Sequence, residues 1–192
     1  MAYCIVGHGS VALLLFLSLQ TSPDRPARPA QTRITKATPI SEFSTAAFFA
    51  AKAKFQVTFG SDTTQPITGN TEPFSVDPLN PLRDLVSKTK KTEEANAISV
   101  GAGFTSFDDW VGFGNRLANA VAFISLRNNR RDLNEQIKSA TDVDTKQNLQ
   151  AILSRMDEEL KKIPAPPASG SEVDFIENNL PRIEGAFAGR PF

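Results

Sequence analysis

The chain has 192 residues, 40% of them apolar and 22% charged, with 21 Lys and Arg balanced by 21 Asp and Glu. That length suits one domain with a real core, and the balanced charge gives no field favouring polyanions, so nucleic acid is not an expected partner. The only Tyr, Cys and His are Tyr3, Cys4 and His8, and once that stretch is removed or sequestered no thiol, imidazole or phenol is left for nucleophilic, metal or redox catalysis.

Residues 1–22 carry no charged side chain, and their apolar run at 11–19 has the length of a signal-peptide core and falls short of a bilayer-spanning helix. The basic residues Arg25, Arg28, Arg33 and Lys36 follow the run instead of preceding it, opposite to the arrangement that favours export of what comes next. Three fates stay open: a signal peptide over 1–22, a membrane anchor formed by residues 5–20, or a misassigned start. The first predicts a periplasmic or secreted protein with no spanning segment after processing.

Residues 23–78 read as a Pro-rich linker and poorly ordered region. Inside it, Phe43, Ala46, Ala47, Ala50 and Ala51 behind a Ser41 cap predict a short helix over 42–54, while Phe55 to Phe59 alternates like a strand. Pro66, Gly69, Asn70, Pro73 and Pro78 mark 60–78 as loop. The folded body is expected to be residues 79–192, sufficient without the N-terminal third.

Leu82, Leu85 and Val86 share a helical face, in a segment that continues through the charged run 88–94 and breaks at Gly101-Ala-Gly103. The strongest helix is predicted from Ser106 to Ala140, with Asp108 and Asp109 in its first turn complementing the helix dipole. Its first half is apolar on most sides and its second keeps only Leu133 and Ile137, so burial should fade along it. A helix over 145–163 carries a seam at Leu149, Ile152, Leu153, Met156, Leu160 and Ile163, with Asp157–Lys161 and Glu158–Lys162 as supporting pairs. Val173, Ile176, Leu180, Ile183 and Phe187 give a last apolar stripe after Ser171, interrupted by Pro181, which should kink the helix or start a second one. The predicted fold class is all-α, a bundle of about four helices with an extended N-terminal region.

On the helix from Ser106, a polar stripe of Asp108, Gly112, Asn115, Arg116 and Asn119 runs among large apolar neighbours. The candidate binding residues are Asp109, Trp110, Gly112, Asn115 and Arg116. In a cleft, the glycine would let a ligand approach the backbone while Asp109, Asn115 and Arg116 supply directed hydrogen bonds. The competing reading is the solvent-facing edge of a buried helix with glycine used for close helix packing and Trp110 as a core anchor.

Neighbouring acids at Asp108-Asp109, Asp142/Asp144 and 157–159 point to different helix faces, so capping and solvation account for them better than acid–base catalysis. Arg127, Arg130 and Arg131 lie beside Asp132 and Glu135 with no interleaved aromatics, which argues against a phosphate backbone. No P-loop, GxGxxG, HExxH, GxSxG or CxxC occurs. No cofactor, no metal and no catalytic residue is expected.

The stretch from Gly103 to Ala118, GFTSFDDWVGFGNRLA, resembles a motif of uncharacterised small exported helical proteins of bacteria. There a Gly-Phe, a Ser, an aromatic, acidic residues and Trp precede a Gly, an Arg and a helical continuation. The resemblance implies a periplasmic or secreted helical protein and carries over no catalytic residue. Together these readings predict an exported, non-catalytic helical protein that acts by binding an unknown protein or a small apolar ligand. The alternatives are a lipid- or metabolite-binding or enzyme-like fold with a cavity beside Trp110, and an accessory subunit docking through the seam of the helix at 145–163.

Overall fold

The computed structural model describes residues 33–60, 77–166 and 170–192. The expected signal peptide, the linker up to residue 32 and the loop at 61–76 lie outside the described residues. The protein is all-α, with six helices among the described residues where about four were expected. No helix among them is long and apolar enough to cross a membrane.

Helix α1 spans Glu42–Phe59. Ser41 caps it reciprocally: its hydroxyl accepts from the Ser44 amide, and the Ser41 amide donates to Ser44 Oγ at 3.0 Å. It outruns the predicted 42–54 because Phe55 and Phe59, four apart, fit a helical face as well as a strand alternation, and tertiary packing decides between them. Their rings lie 5.9 Å apart on one face, while Val57 between them is 88% exposed. Gly60, at φ +95°, ends the helix with its amide on the Gln56 carbonyl.

The segment expected to be one helix from residue 82 to about 100 is two, α2 (Asn80–Thr89) and α3 (Thr92–Gly101). Lys90 sits between them in the left-handed region, φ 57°, with its amide returned to the Ser87 carbonyl. The crowded cations Lys88, Lys90 and Lys91 gain nothing from a continuous helix, and the turn brings Leu82 and Val86 of α2 and Ala95 and Ser99 of α3 to the same core.

Helix α4, Phe107–Ser139, is the spine, packing against α1, α3, α5 and α6. Ser106 caps it by accepting from the Asp109 amide at 3.1 Å, and Asn96 of α3 accepts from the Phe107 amide at 2.9 Å. Burial fades as predicted: nearly every residue from Trp110 to Val121 is buried, then Ile124, then only Leu133.

Helix α5 (Val143–Lys162) folds back along α4, capped by Asp142. Its surface pairs are Glu158–Lys161 and Glu159–Lys162, one residue closer than the predicted spacing, and Asp157 is thereby left to meet Arg130 of α4 at 2.5 Å. Helix α6, Gly170–Phe187, runs through Pro181 without a break, so neither a second helix nor a new cap is needed there. It buries Ile176, Ile183 and Phe187 on the expected stripe. It ends in a Schellman turn: Arg190 donates to the Gly185 carbonyl at 2.8 Å and Gly189, at φ +90°, to the Ala186 carbonyl at 3.2 Å.

The domain partition expected from sequence is corrected here. Residues 33–60 belong to the folded body, because a strap at 33–41 and helix α1 complete its core. Ile34 pairs as an isolated parallel bridge with Phe104, giving its amide to the Gly103 carbonyl and its carbonyl to the Thr105 amide, both at 2.9 Å. Ile34 and Ile40 are 1% and 3% exposed, and Phe48 and Phe55 are sealed completely. A chain beginning at Pro78 should therefore lose helicity and cooperativity, with a red-shifted Trp110 emission, whereas one beginning at Thr32 should keep the full chain's melting temperature. A cooperative melt with a buried Trp from the Pro78 chain would refute this boundary.

Candidate functional site

Each of the five residues singled out on α4 makes a contact that can be traced atom by atom. Asp109 uses one carboxylate oxygen to accept the Lys36 amide at 3.0 Å and the other to accept the Ser106 hydroxyl at 3.0 Å. Asn115 accepts the Leu79 amide at 3.1 Å and donates to Asp77 at 3.2 Å, which fixes the entry to α2. Arg116 donates to the Thr38 carbonyl and pairs with Glu172 of α6 at 3.1 Å, its guanidinium lying 5.5 Å from the centre of the Phe113 ring. Glu172, 4% exposed, also accepts the Ile40 amide at 2.8 Å. Asp109 and Arg116 thus hold the chain's own strap, and Asn115 holds the start of α2.

Gly112 acts as a close-approach residue, as the cleft reading requires, although what approaches is Lys36: a Cβ on Gly112 would lie 2.8 Å from Lys36 Cβ. Gly114, one residue off the stripe, has the tighter role. A Cβ there would meet Phe48 at 2.3 Å and Leu79 at 2.4 Å, so α1 and the start of α2 sit directly on the backbone of α4.

Trp110 is a core anchor. It is fully buried, its indole N–H donates to the Phe48 carbonyl at 3.2 Å, and its ring lies 5.0 Å from Phe48, 4.4 Å from Phe55 and 6.1 Å from Phe107. Rings occupy the space where the alternative reading puts a cavity beside Trp110, and Trp110 lines neither of the two hollows described below.

The larger hollow, about 950 Å³, is an open polar groove over the same stripe, with Asp109, Gly112, Asn115, Arg116 and Asn119 in its lining. Lys36 and Arg83 contribute cations to it, Asp77 and Asp108 contribute acids, and Pro164 to Pro166 line one wall. Arg83 and Asp108 pair at 3.2 Å, so the charges largely answer one another. Chemically the groove offers hydrogen bonds of both senses, with Ala120 and residues 164–166 as its apolar surface among the described residues, which suits a polar molecule better than a lipid.

Sequence reasoning missed the partners of these residues: Ile34, Lys36 and Ile40 of the strap, Asp77 before α2, and Glu172 on α6. A signal existed for the strap, because Ile34 and Ile40 are the only large aliphatic residues between 23 and 40. Two isolated aliphatics in a basic, Pro-rich stretch mark points where a tether is pinned. Glu172 gave no such signal, since a glutamate in a helix's first turn reads as a dipole partner on the surface.

Lys52 of α1 was likewise not anticipated. It is 3% exposed, and its ammonium donates at 3.0 Å to the Phe187 carbonyl, an acceptor left over at the end of α6, and at 3.3 Å to the Ala186 carbonyl, which also accepts the Gly189 amide. Burial pushes its pKa below the ordinary lysine value.

The chain matches no protein-family model, no curated protein and no solved structure.

Two predictions follow the geometry of the stripe. Gly114→Ala should overpack the α1–α4 contact and lower global stability by about 1–3 kcal/mol, whereas Gly112→Ala should act locally, raising hydrogen exchange at the Ile34 and Thr105 amides with a smaller fall in melting temperature. Equal effects of the two would contradict the assigned contacts. Arg116→Met leaves Glu172 buried with only a backbone donor and should cost about 3 kcal/mol, with Arg116→Met/Glu172→Met recovering much of it. Strict additivity in that double-mutant cycle, read by urea denaturation, would show that the pair is not coupled.

Proposed function

We infer that this is an exported, non-catalytic helical protein that acts by binding, and that its docking element is the hairpin of α5 with the distal half of α4. One observation carries the reading: none of the 20 residues of α5 is buried, although the helix bears a continuous apolar seam. Leu149, Leu153, Met156 and Leu160 are only half covered, and Ile152 is 47% exposed. On the facing side of the hairpin, Leu133 is buried while Leu126 and Ile137 stay half covered.

A helix of this length extends about 30 Å. A partner helix laid along the seam would turn the hairpin into a three-helix unit and give Ile152 and Leu149 the cover that α4 alone does not provide. The occupant we infer is therefore an amphipathic helix of a partner protein. Flanking charges of both signs, Arg155, Lys161 and Lys162 against Glu158 and Glu159, would set its register and orientation. Export is supported by the apolar run at 11–19 and by the motif resemblance, and a binding role by the absence of thiol, imidazole and phenol after residue 8.

A photo-crosslinking residue at Ile152 or Leu149 should capture one defined species in the cells that make the protein. The same residue at Ser154, on the opposite face, should capture none. Ile152→Glu should abolish capture from Leu149 while leaving the melting temperature within a few degrees of the parent. Crosslinking from Ser154 as strong as from Ile152 would sink the reading, and a product of twice the chain's mass from purified protein would replace the partner helix by a second copy.

A further inference from the structure

A second hollow, about 440 Å³, lies on the far side of α1, between that helix and the turn that follows α6. Ala46, Phe49, Ala50 and Ala53 give it an apolar wall, and Pro191 and Phe192 give it another. Phe49 and Phe192 stack at 5.2 Å with their planes 25° apart, so the walls are ordered rings and not loose side chains. Among the described residues, the only charged ones lining it are Lys52 and Arg190.

Both are cations, and among the described residues neither forms an ion pair. The neighbouring acids are engaged elsewhere: Glu42 pairs with Arg182 at 2.8 Å and Glu184 accepts the Ser125 hydroxyl. Lys52 is almost wholly buried and has three N–H donors, of which the Phe187 and Ala186 carbonyls take two. Arg190 folds back across Gly185, where a Cβ would stand 3.5 Å from Arg190 Cδ and 3.6 Å from its Nε. That fold keeps the guanidinium at the hollow's edge.

The C-terminus of α6 offsets part of this charge. A helix end supplies about half an elementary negative charge, less than the positive charge of Lys52 and Arg190, so the described side chains leave the lining cationic. A buried ammonium without a counter-charge is costly, and an anion that supplies the charge recovers much of that cost. The walls add a second requirement, because a fully hydrated inorganic anion would leave the exposed Ala46, Ala50, Ala53 and Pro191 uncovered.

We propose that the hollow between α1 and the α6 turn is a binding site for a small organic carboxylate, with its carboxylate between Lys52 and Arg190 and its apolar body against the exposed Ala46, Ala50, Ala53 and Pro191 beside the Phe49–Phe192 stack. The volume falls within the range of small-ligand pockets. The proposal is independent of the hairpin and its partner.

Benzoate and hexanoate are the probes, titrated into the full chain at neutral pH with NMR shifts of the Ala53, Gly189 and Phe192 amides and the melting temperature as readouts. Saturable shifts and a raised melting temperature are expected for both, with benzamide, the neutral isostere, at least tenfold weaker. Inorganic phosphate should bind more weakly than either carboxylate; tighter phosphate binding would overturn the assignment to an organic acid. Arg190→Met, at an exposed position, should weaken benzoate at least tenfold with little change in the unliganded melting temperature. Lys52→Met should do the same if it folds, and the Arg190 variant decides the matter if it does not. Non-saturating shifts with benzoate, benzamide binding as well as benzoate, or full affinity in Arg190→Met would each overturn the proposal.

Discussion

Covering Trp110 is the constraint on which the rest of the structure depends. Truncating a side chain of that size at a sealed position typically costs about 3–5 kcal/mol, a large share of a small domain's stability. Helix α4 presents the indole but can cover only one side of it, with Phe107. The other side is closed by Phe48 and Phe55 of α1, and the indole N–H is satisfied by the Phe48 carbonyl. The residues that make the Trp a core residue therefore come from more than fifty positions upstream, which is why α1 cannot be separated from the body.

Bringing α1 that close imposes conditions on α4. The backbones must approach across Gly114, where Phe48 and Leu79 fill the space a side chain would take. The chain leading into α1 must also cross α4, where it is buried at Ile34 and Ile40 and exposed at Lys36. Asp109 accepts the Lys36 amide near the surface and Glu172 the buried Ile40 amide, and Arg116 ties Glu172 to the Thr38 carbonyl. The polar stripe thus holds the protein's own backbone, and at Ile40 it satisfies an amide that has lost water.

The molecule is uneven along its spine. Up to Ile124, α4 is enclosed largely by α1, α3 and α6; beyond it burial falls away, and Leu133 is the last buried residue of the helix. A two-helix arm cannot bury a full apolar seam, because each helix offers its partner about half the surface that seam exposes. The arm is held by Arg130–Asp157 and, nearer the body, by Arg127 with Glu177 of α6. Those contacts set its direction and leave its seam half covered.

The sequence alone determined the helices whose signal is local. Ser106 with Asp108 and Asp109, the seam of α5, and the stripe Ile176, Ile183 and Phe187 are periodic patterns with caps, and each formed close to where the pattern places it, because capping and amphipathicity act within a turn or two of chain. The fading burial of α4 was legible for the same reason. Where local signals tied, tertiary packing decided: Phe55 and Phe59 suit either a strand or a helix until Trp110 needs a ring beside it, and the continuous helix predicted from residue 82 breaks at Lys90 so that two short faces reach one core. The site was half legible. Gly112, Asn115 and Arg116 could be recognised as residues that admit and hydrogen-bond something brought against α4, since small and hydrogen-bonding residues stand there in an apolar field. That Gly112 and Arg116 meet the strap at 33–41, that Asn115 meets Leu79 and Asp77, and that Glu172 and Lys52 are buried, depended on contacts between residues 36 to 135 positions apart, which no periodicity encodes.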